Sequence, residues 1–255
     1  MKPLMSSLAL AVAIITLAGC STTSQPDRNT PLGEDNLNGS GFLSDVYPLM
    51  KEGKDGEALR LYRNPKYAST ASFTRFTKVL LEPVKLYVGS KSKLKDVPQD
   101  QAKAIAQSFY NQLHEQFGKD YQMVQTPGPN TLQISVAIVD AEAADTTLKA
   151  ASYIPLGLPG AKVVATKAVT QATGQPLATG QVTVEGKMYD SQTGEIVAAA
   201  IDRRTGSRRP IIGLFESSTY DEWSDVTAAG KYWAEKMRYR LCMRRGATNC
   251  VDAVD

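Results

Sequence analysis

The chain has 255 residues, 22% of them charged and 42% hydrophobic, a composition that excludes a disordered chain, a collagen-like repeat and a multi-span membrane protein. Its 29 basic and 26 acidic residues leave a formal net charge of +3, too balanced for bulk electrostatics to point to nucleic acid as a partner. One histidine and three cysteines leave few ways to build a protein metal site or a histidine-based catalytic centre, so no metal and no cofactor are expected.

Residues 1–19 have signal-peptide anatomy. Lys2 supplies the positive start, Leu8 to Ala18 are apolar except Thr16, and the small residues Ala18 and Gly19 follow. As a helix, that apolar run would be roughly 16 Å long at about 1.5 Å per residue, against about 30 Å of bilayer hydrocarbon. It is too short to span. Leu17-Ala18-Gly19-Cys20 closely resembles the lipobox of bacterial lipoproteins, which implies lipidation of Cys20 as the mature N-terminus and membrane attachment through its acyl chains. Ser21 in place of Asp implies passage to the outer membrane, with the protein facing the periplasm. The alternative is an ordinary secretory signal with a chance cysteine. Of the 21 residues from Ser21 to Gly41, 16 are Ser, Thr, Asn, Asp, Gly or Pro. Residues 20–41 are therefore expected to be a lipidated cysteine and a flexible tether with a root-mean-square reach of about 25 Å. Residues 42–255 are expected to form one domain.

Within that domain, Phe42, Leu43, Val46, Leu49 and Met50 have helical spacing over barely two turns, then Gly53-Lys54-Asp55-Gly56 breaks it. A short helix and an irregular wrap are expected. Phe76 to Val88 alternates as a strand, kinked or at an edge because Pro83 lies inside it. Pro98 to Phe117 carries Ala102, Ile105, Ala106, Phe109, Leu113 and Phe117 on one helical stripe, with Pro98 in the first turn and Gly118 at the C-cap. His114 lies next to that stripe, and without a second histidine or a partner fixed by a motif it is expected to be structural or solvated. Tyr121 to Val124 is a short strand, Pro127 to Asn130 a turn, and Leu132 to Asp140 a half-buried strand. Val182 to Met188, the turn Asp190 to Glu195 and Ile196 to Ile201 form a hairpin whose Gly194 supplies a positive φ.

Ala141 to Thr179, centred on Tyr153 to Gly160, is either a mobile apolar surface that meets lipid or a partner, or a connection packed on the sheet. The last element runs from Tyr220 to about Met243. Trp223, Val226, Gly230, Trp233, Met237 and Leu241 share one face, and Thr219 with Glu222 reads as a capping box. The fold expected from this order is α+β, a mixed, largely antiparallel sheet with two long helices packed on one face.

Three groups bear on chemistry. Cys242 and Cys250 are expected to pair in an oxidising compartment, a loop closure contributing about 2.6 kcal/mol in the chain-entropy model; two free thiols are the alternative. Asp140, Glu142 and Asp145 cluster at a strand end, as acid/base or cation-binding groups or as a solvated loop. Arg203, Arg204, Arg208 and Arg209 surround a glycine turn, and from Arg203 to Arg245 there are ten basic against five acidic residues. The four arginines are either an anion-binding loop for an envelope component or a solvated loop paired with Glu216, Asp221 and Asp225. Phosphate-loop, dinucleotide-binding, serine-hydrolase and zinc-protease motifs do not occur in the sequence.

Ser40-Gly41-Phe42-Leu43 with Tyr47 and Leu49, the strand Phe76 to Val84, and Asp190 to Glu195 running to Asp202-Arg203-Arg204-Thr205-Gly206 resemble a family of bacterial lipoproteins catalogued as domain of unknown function thirty-three thirteen. The resemblance covers nearly the whole body, with Trp223 matching a tryptophan near the start of the last helix. It implies a single-domain, lipid-anchored periplasmic protein and brings no established activity or catalytic residues; the Cys242 and Cys250 tail is not part of the pattern. The reading that results is a non-enzymatic envelope protein that binds another envelope protein or an anionic envelope component. The alternative is an auxiliary lipoprotein subunit of a lipid or solute transport system.

Overall fold

The computed structural model describes residues 23–25, 40–89, 92–144, 179–206 and 223–253. Among the described residues, nine strands form one sheet: β1 (Thr23–Ser24), β2 (Lys51–Glu52), β3 (Arg60–Arg63), β4 (Lys78–Leu81), β5 (Lys85–Leu86), β6 (Gln122–Val124), β7 (Thr131–Glu142), β8 (Gln181–Asp190) and β9 (Ile196–Gly206). Three α-helices among the described residues accompany them: α1 (Thr70–Thr74), α2 (Gln99–Gly118) and α3 (Ser224–Arg244). The strand order is β2-β3-β9-β8-β7-β4-β6, with β1 beside β9 and β5 beside β7. Pairings of β7 with β4 and β5, and of β4 with β6, are parallel, and the rest are antiparallel. The architecture is the expected α+β, a mixed, mostly antiparallel sheet carrying two long helices.

Both long helices pack on one sheet face. The apolar stripe of α2 buries Ala102, Ala106, Phe109, Leu113 and Phe117, and that of α3 buries Val226, Trp233 and Leu241; they close over Leu132, Ile134, Val136 and Ile138 of β7. Gly230 lets the helices approach closely, since a Cβ there would stand 2.5 Å from Gln112 Oε1 and 3.3 Å from the Phe109 ring. Phe109 and Trp233 meet beside it with ring centroids 5.9 Å apart.

Pro83 acts as its ring chemistry requires. It separates β4 from β5 and shifts the register, so that Leu81 pairs with Ile134 but Lys85 with Ala137. Glu82 N and Tyr87 N still donate to Ile134 O and Ile138 O across the break.

Four findings differ from the sequence reading. The strand expected to be half-buried is buried on both faces, because Phe42, Leu43, Val46 and Met50 cover Ala137, Val139, Ala199 and Ile201 on the side away from the helices. That covering segment is a chain of tight turns ending in a 3-10 helix of three residues at Tyr47–Leu49, shorter than the barely two turns of helical spacing in the sequence. The irregular wrap contains an edge hairpin, β2 and β3, whose pattern is too short to declare itself. The last helix begins at Ser224 after an N-cap Trp223 that makes no side-chain capping bond. The expected Thr219 and Glu222 box lies outside the described residues.

Three residues within the expected tether, Thr23–Gln25, also depart from expectation. They do not leave the body: β1 pairs antiparallel with the end of β9, Thr23 opposite Gly206 and Ser24 opposite Thr205. Polar composition suggested solvated coil, but the outer edge of β9 beyond Ile201, past the first residue of β3, offers unpaired backbone to a passing strand.

Candidate functional site

The arginine group is placed differently from the sequence reading. Arg203 and Arg204 are not in a loop, because β9 pairs with β8 through Thr205 and puts them on opposite sheet faces. Arg204 is 1% exposed. Its Nε donates to Thr23 Oγ1 (3.0 Å), its Nη2 donates to Thr23 O (2.8 Å), and its guanidinium lies 3.5 Å from the centroid of Tyr232 on α3. Arg203, 6% exposed, donates from Nε to Thr183 Oγ1 at 2.9 Å. Burial pushes its pKa down, against the opposing charge of Asp140. Both arginines tie the fold together internally and do not present themselves to an anion. Arg208 and Arg209 lie outside the described residues, as do Glu216 and Asp221.

Asp225, the remaining expected partner of that loop, is buried and accepts from Gly180 N (2.9 Å). Its carboxylate lies so near Gly206 that a Cβ there would come within 2.3 Å. The expected acidic cluster is likewise used locally. Asp140 accepts from Lys93 N (2.8 Å) and Ser92 Oγ (3.4 Å), and Glu142 pairs with Lys93 Nζ (2.6 Å) and Gln181 Nε2 (2.9 Å). Asp145 is outside the described residues. His114 is exposed on α2, its ring 5.8 Å from that of Tyr110. Cys242 and Cys250 stand at disulfide distance, Sγ to Sγ 1.97 Å, and tie the C-terminal tail to the last turn of α3. Cys20 is outside the described residues.

The structure brings together a site the sequence reading missed. On the helix face of the sheet, Gly186 pairs with Ala200 and Met188 with Ala198, so three of these four positions beneath α3 carry a methyl group or no side chain. A cavity of about 290 Å³ results, bounded by those residues, by Leu61 of β3 and by Trp233, Met237 and Leu241 of α3. Such a volume lies near the lower end of small-molecule sites, about 300–1,000 Å³. The signal for it was Ala198-Ala199-Ala200 opposite Gly186, small residues where β-propensity would place large ones.

Two polar zones border this chamber. At its inner end the Asp202 carboxylate accepts from Trp233 Nε1 (2.8 Å), Gln25 Nε2 (2.6 Å) and Leu59 N (3.2 Å). Burial pushes its pKa up, against those donors and the nearby Arg204 charge. The rim holds Arg63, Arg240 and Arg244, with the Glu57 carboxylate near the first two. Arg63 pairs with Glu57 (2.6 Å), Arg240 donates to Gly56 O (2.6 Å), and Arg244 donates to Tyr67 O (3.2 Å) while lying 4.8 Å from the Phe73 centroid. Burial raises the Glu57 carboxyl, but the Lys54 amide and Arg63 outweigh it and hold the pKa below the ordinary value. Burial lowers the Arg244 pKa, and the charge of Arg63 lowers it further. An apolar interior beneath a cationic rim suits a ligand with an apolar body and an anionic head.

A second buried polar group lies on the opposite face. Glu185 is fully buried, its Oε2 accepts from Ser40 Oγ (2.7 Å), and its Oε1 has no hydrogen-bond partner among the described residues. Burial pushes its pKa up to about 7. Nearby, buried Lys187 pairs with Asp45 (2.5 Å). Among the described residues there is no cluster of three or more His, Cys, Asp or Glu suited to a metal ion, and no helix long and apolar enough to cross a membrane.

No curated protein matches the chain. Among solved structures it is similar to a single-substitution variant of the PelC dodecamer from Paraburkholderia phytofirmans, with 15% identity, coverage of 74% of this chain and 97% of that one, and a TM-score of 0.36. It is also similar to a neuraminyllactose-binding hemagglutinin homolog from Helicobacter pylori, with 8% identity, 78% and 92% coverage, and a TM-score of 0.32. A third likeness is to lipoprotein GNA1162 from Neisseria meningitidis, with 13% identity, 54% and 89% coverage, and a TM-score of 0.21. Residues 38–237 match the family described as Protein of unknown function (DUF3313), and the chain belongs to that family.

Proposed function

We propose that this is a lipoprotein of the bacterial cell envelope, attached through Cys20 and facing the periplasm from the outer membrane, whose domain is a non-enzymatic binding module. The lipobox-like Leu17-Ala18-Gly19-Cys20 and the following Ser21 support the anchoring. The cavity beneath α3 carries the binding reading. Its lining is mostly apolar, and the charged groups at its rim are fixed by backbone carbonyls and by one another, an arrangement suited to holding a ligand in place. Its occupant is a slim amphipathic molecule, an acyl chain with an anionic head being the simplest chemistry that matches both zones. That same chemistry favours the second reading, an auxiliary lipoprotein of an envelope lipid or solute transport system, in which the cavity holds cargo.

Two measurements test the proposal. A Cys20→Ala variant is expected to leave the membrane fraction, and its retention there would overturn the lipoprotein assignment. Ala200→Leu fills the cavity floor and is expected to weaken binding of dansyl-labelled dodecanoate at least about tenfold, equivalent to about 1.4 kcal/mol. Unchanged binding, with the urea midpoint preserved, would remove the cavity as the site.

A further inference from the structure

We infer that β1 makes the lipid anchor an orienting device, holding one end of the sheet against the bilayer that carries the anchor; the inference rests on lipidation of Cys20. Three consecutive residues are fixed to the body. Thr23, 2% exposed, accepts two hydrogen bonds from buried Arg204, and Ser24 pairs with Thr205. Gln25 donates to Asp202 Oδ1 (2.6 Å) and to Glu57 O (2.8 Å). Only Ser21 and Thr22 separate this strand from Cys20. Three Cα steps span at most about 11 Å, so the acylated residue stays within that distance of Thr23.

The anchor therefore emerges beside Gly206, at the end of the sheet where β7 finishes at Glu142, β8 starts at Gln181 and α3 starts at Ser224. Asp225 joins the start of α3 to Gly180 at the same end. The opposite end is the β8–β9 turn, Ser191 to Glu195. It lies one length of β9 away, 11 residues or about 36 Å. A free tether of about 21 residues would let either end meet the membrane, whereas a tether of two residues selects the Gly206 end.

The test places a fluorescent amino acid at exposed Lys93, near the end of β7, or at exposed Gln192 in the far turn, in full-length lipidated protein. The protein is reconstituted in phosphatidylethanolamine/phosphatidylglycerol vesicles that carry an acceptor-labelled lipid. Energy transfer from position 93 is expected to be at least about threefold that from position 192, given the strand-length separation. Inserting a 20-residue Gly/Ser spacer between Thr22 and Thr23 leaves β1 docked but lengthens the anchor to a reach of about 26 Å, and is expected to abolish the contrast. Equal transfer from both positions in protein that floats with the vesicles, or stronger transfer from position 192, would overturn the orientation while leaving the anchor intact. Failure to float, matching Cys20→Ala, would instead overturn the lipoprotein reading beneath it.

Discussion

At the residue scale, the fold holds a titratable group that should set a pH slope. Glu185 is fully buried, and its folded pKa of about 7 stands above the ordinary 4.5. Between those values the native state binds more protons than the unfolded chain, so stability falls as pH rises through the window. The contribution is fully present below about pH 4.5 and lost above about pH 7, amounting to roughly 3 kcal/mol from the size of the shift. Glu185→Gln keeps the shape and removes the proton. The urea-derived stability of this variant relative to wild type is expected to rise by about that amount from pH 4.5 to pH 8; parallel curves for the two proteins would exclude the effect. Gly206 offers a steric test. A methyl group there meets the buried Asp225 carboxylate, so Gly206→Ala is expected to lose about 1–3 kcal/mol in urea melts.

At the element scale, much of the architecture was legible because long periodic segments report their own burial. The stripe from Ala102 to Phe117 specifies α2, the alternation around Gly194 specifies the β8–β9 hairpin, and Pro83 marks the break between β4 and β5. What was not legible depends on partners remote in sequence. Arg203 and Arg204 read as part of a loop around a glycine turn, yet β8 on one side and β1 on the other extend β9 through them, and Tyr232 and Thr23 provide Arg204 with a place to be buried. The cavity escaped detection for a related reason, since small residues on two adjacent strands create space only once α3 crosses above them. The C-terminal tail behaves as an element only through its cysteines. Cys250→Ser is expected to lower stability by about 2–3 kcal/mol, and the melting temperature by about 5–10 °C, if Cys242 and Cys250 are oxidised in the native compartment. A melting point indifferent to the substitution and to reductant would indicate free thiols.

At the scale of the whole molecule, the N-terminal strand links three parts that are distant in sequence: the end of β9, the Glu57–Leu59 loop before β3, and α3. Asp202 lies at their junction, accepting from Gln25, Leu59 and Trp233, while Arg204 bonds Thr23 beneath Tyr232. A polar linker would contribute nothing to folding, because it makes no lasting contact and loses no entropy when the domain orders. A docked strand differs, since deleting it removes hydrogen bonds from two buried charged groups, each worth about 1.5–3 kcal/mol. Water entering the vacated space recovers part of that loss. A soluble form beginning at Pro26 is therefore expected to be about 3 kcal/mol less stable than one beginning at Ser21, with a melting temperature lower by about 6–12 °C. Thr23→Val removes the Oγ1 hydroxyl but keeps the backbone carbonyl that Arg204 also bonds, and should give a smaller loss of the same sign. Identical melts for the two starting points would mean that β1 rests on the sheet without stabilising it, and the domain would then owe its stability to the cores on the two sheet faces.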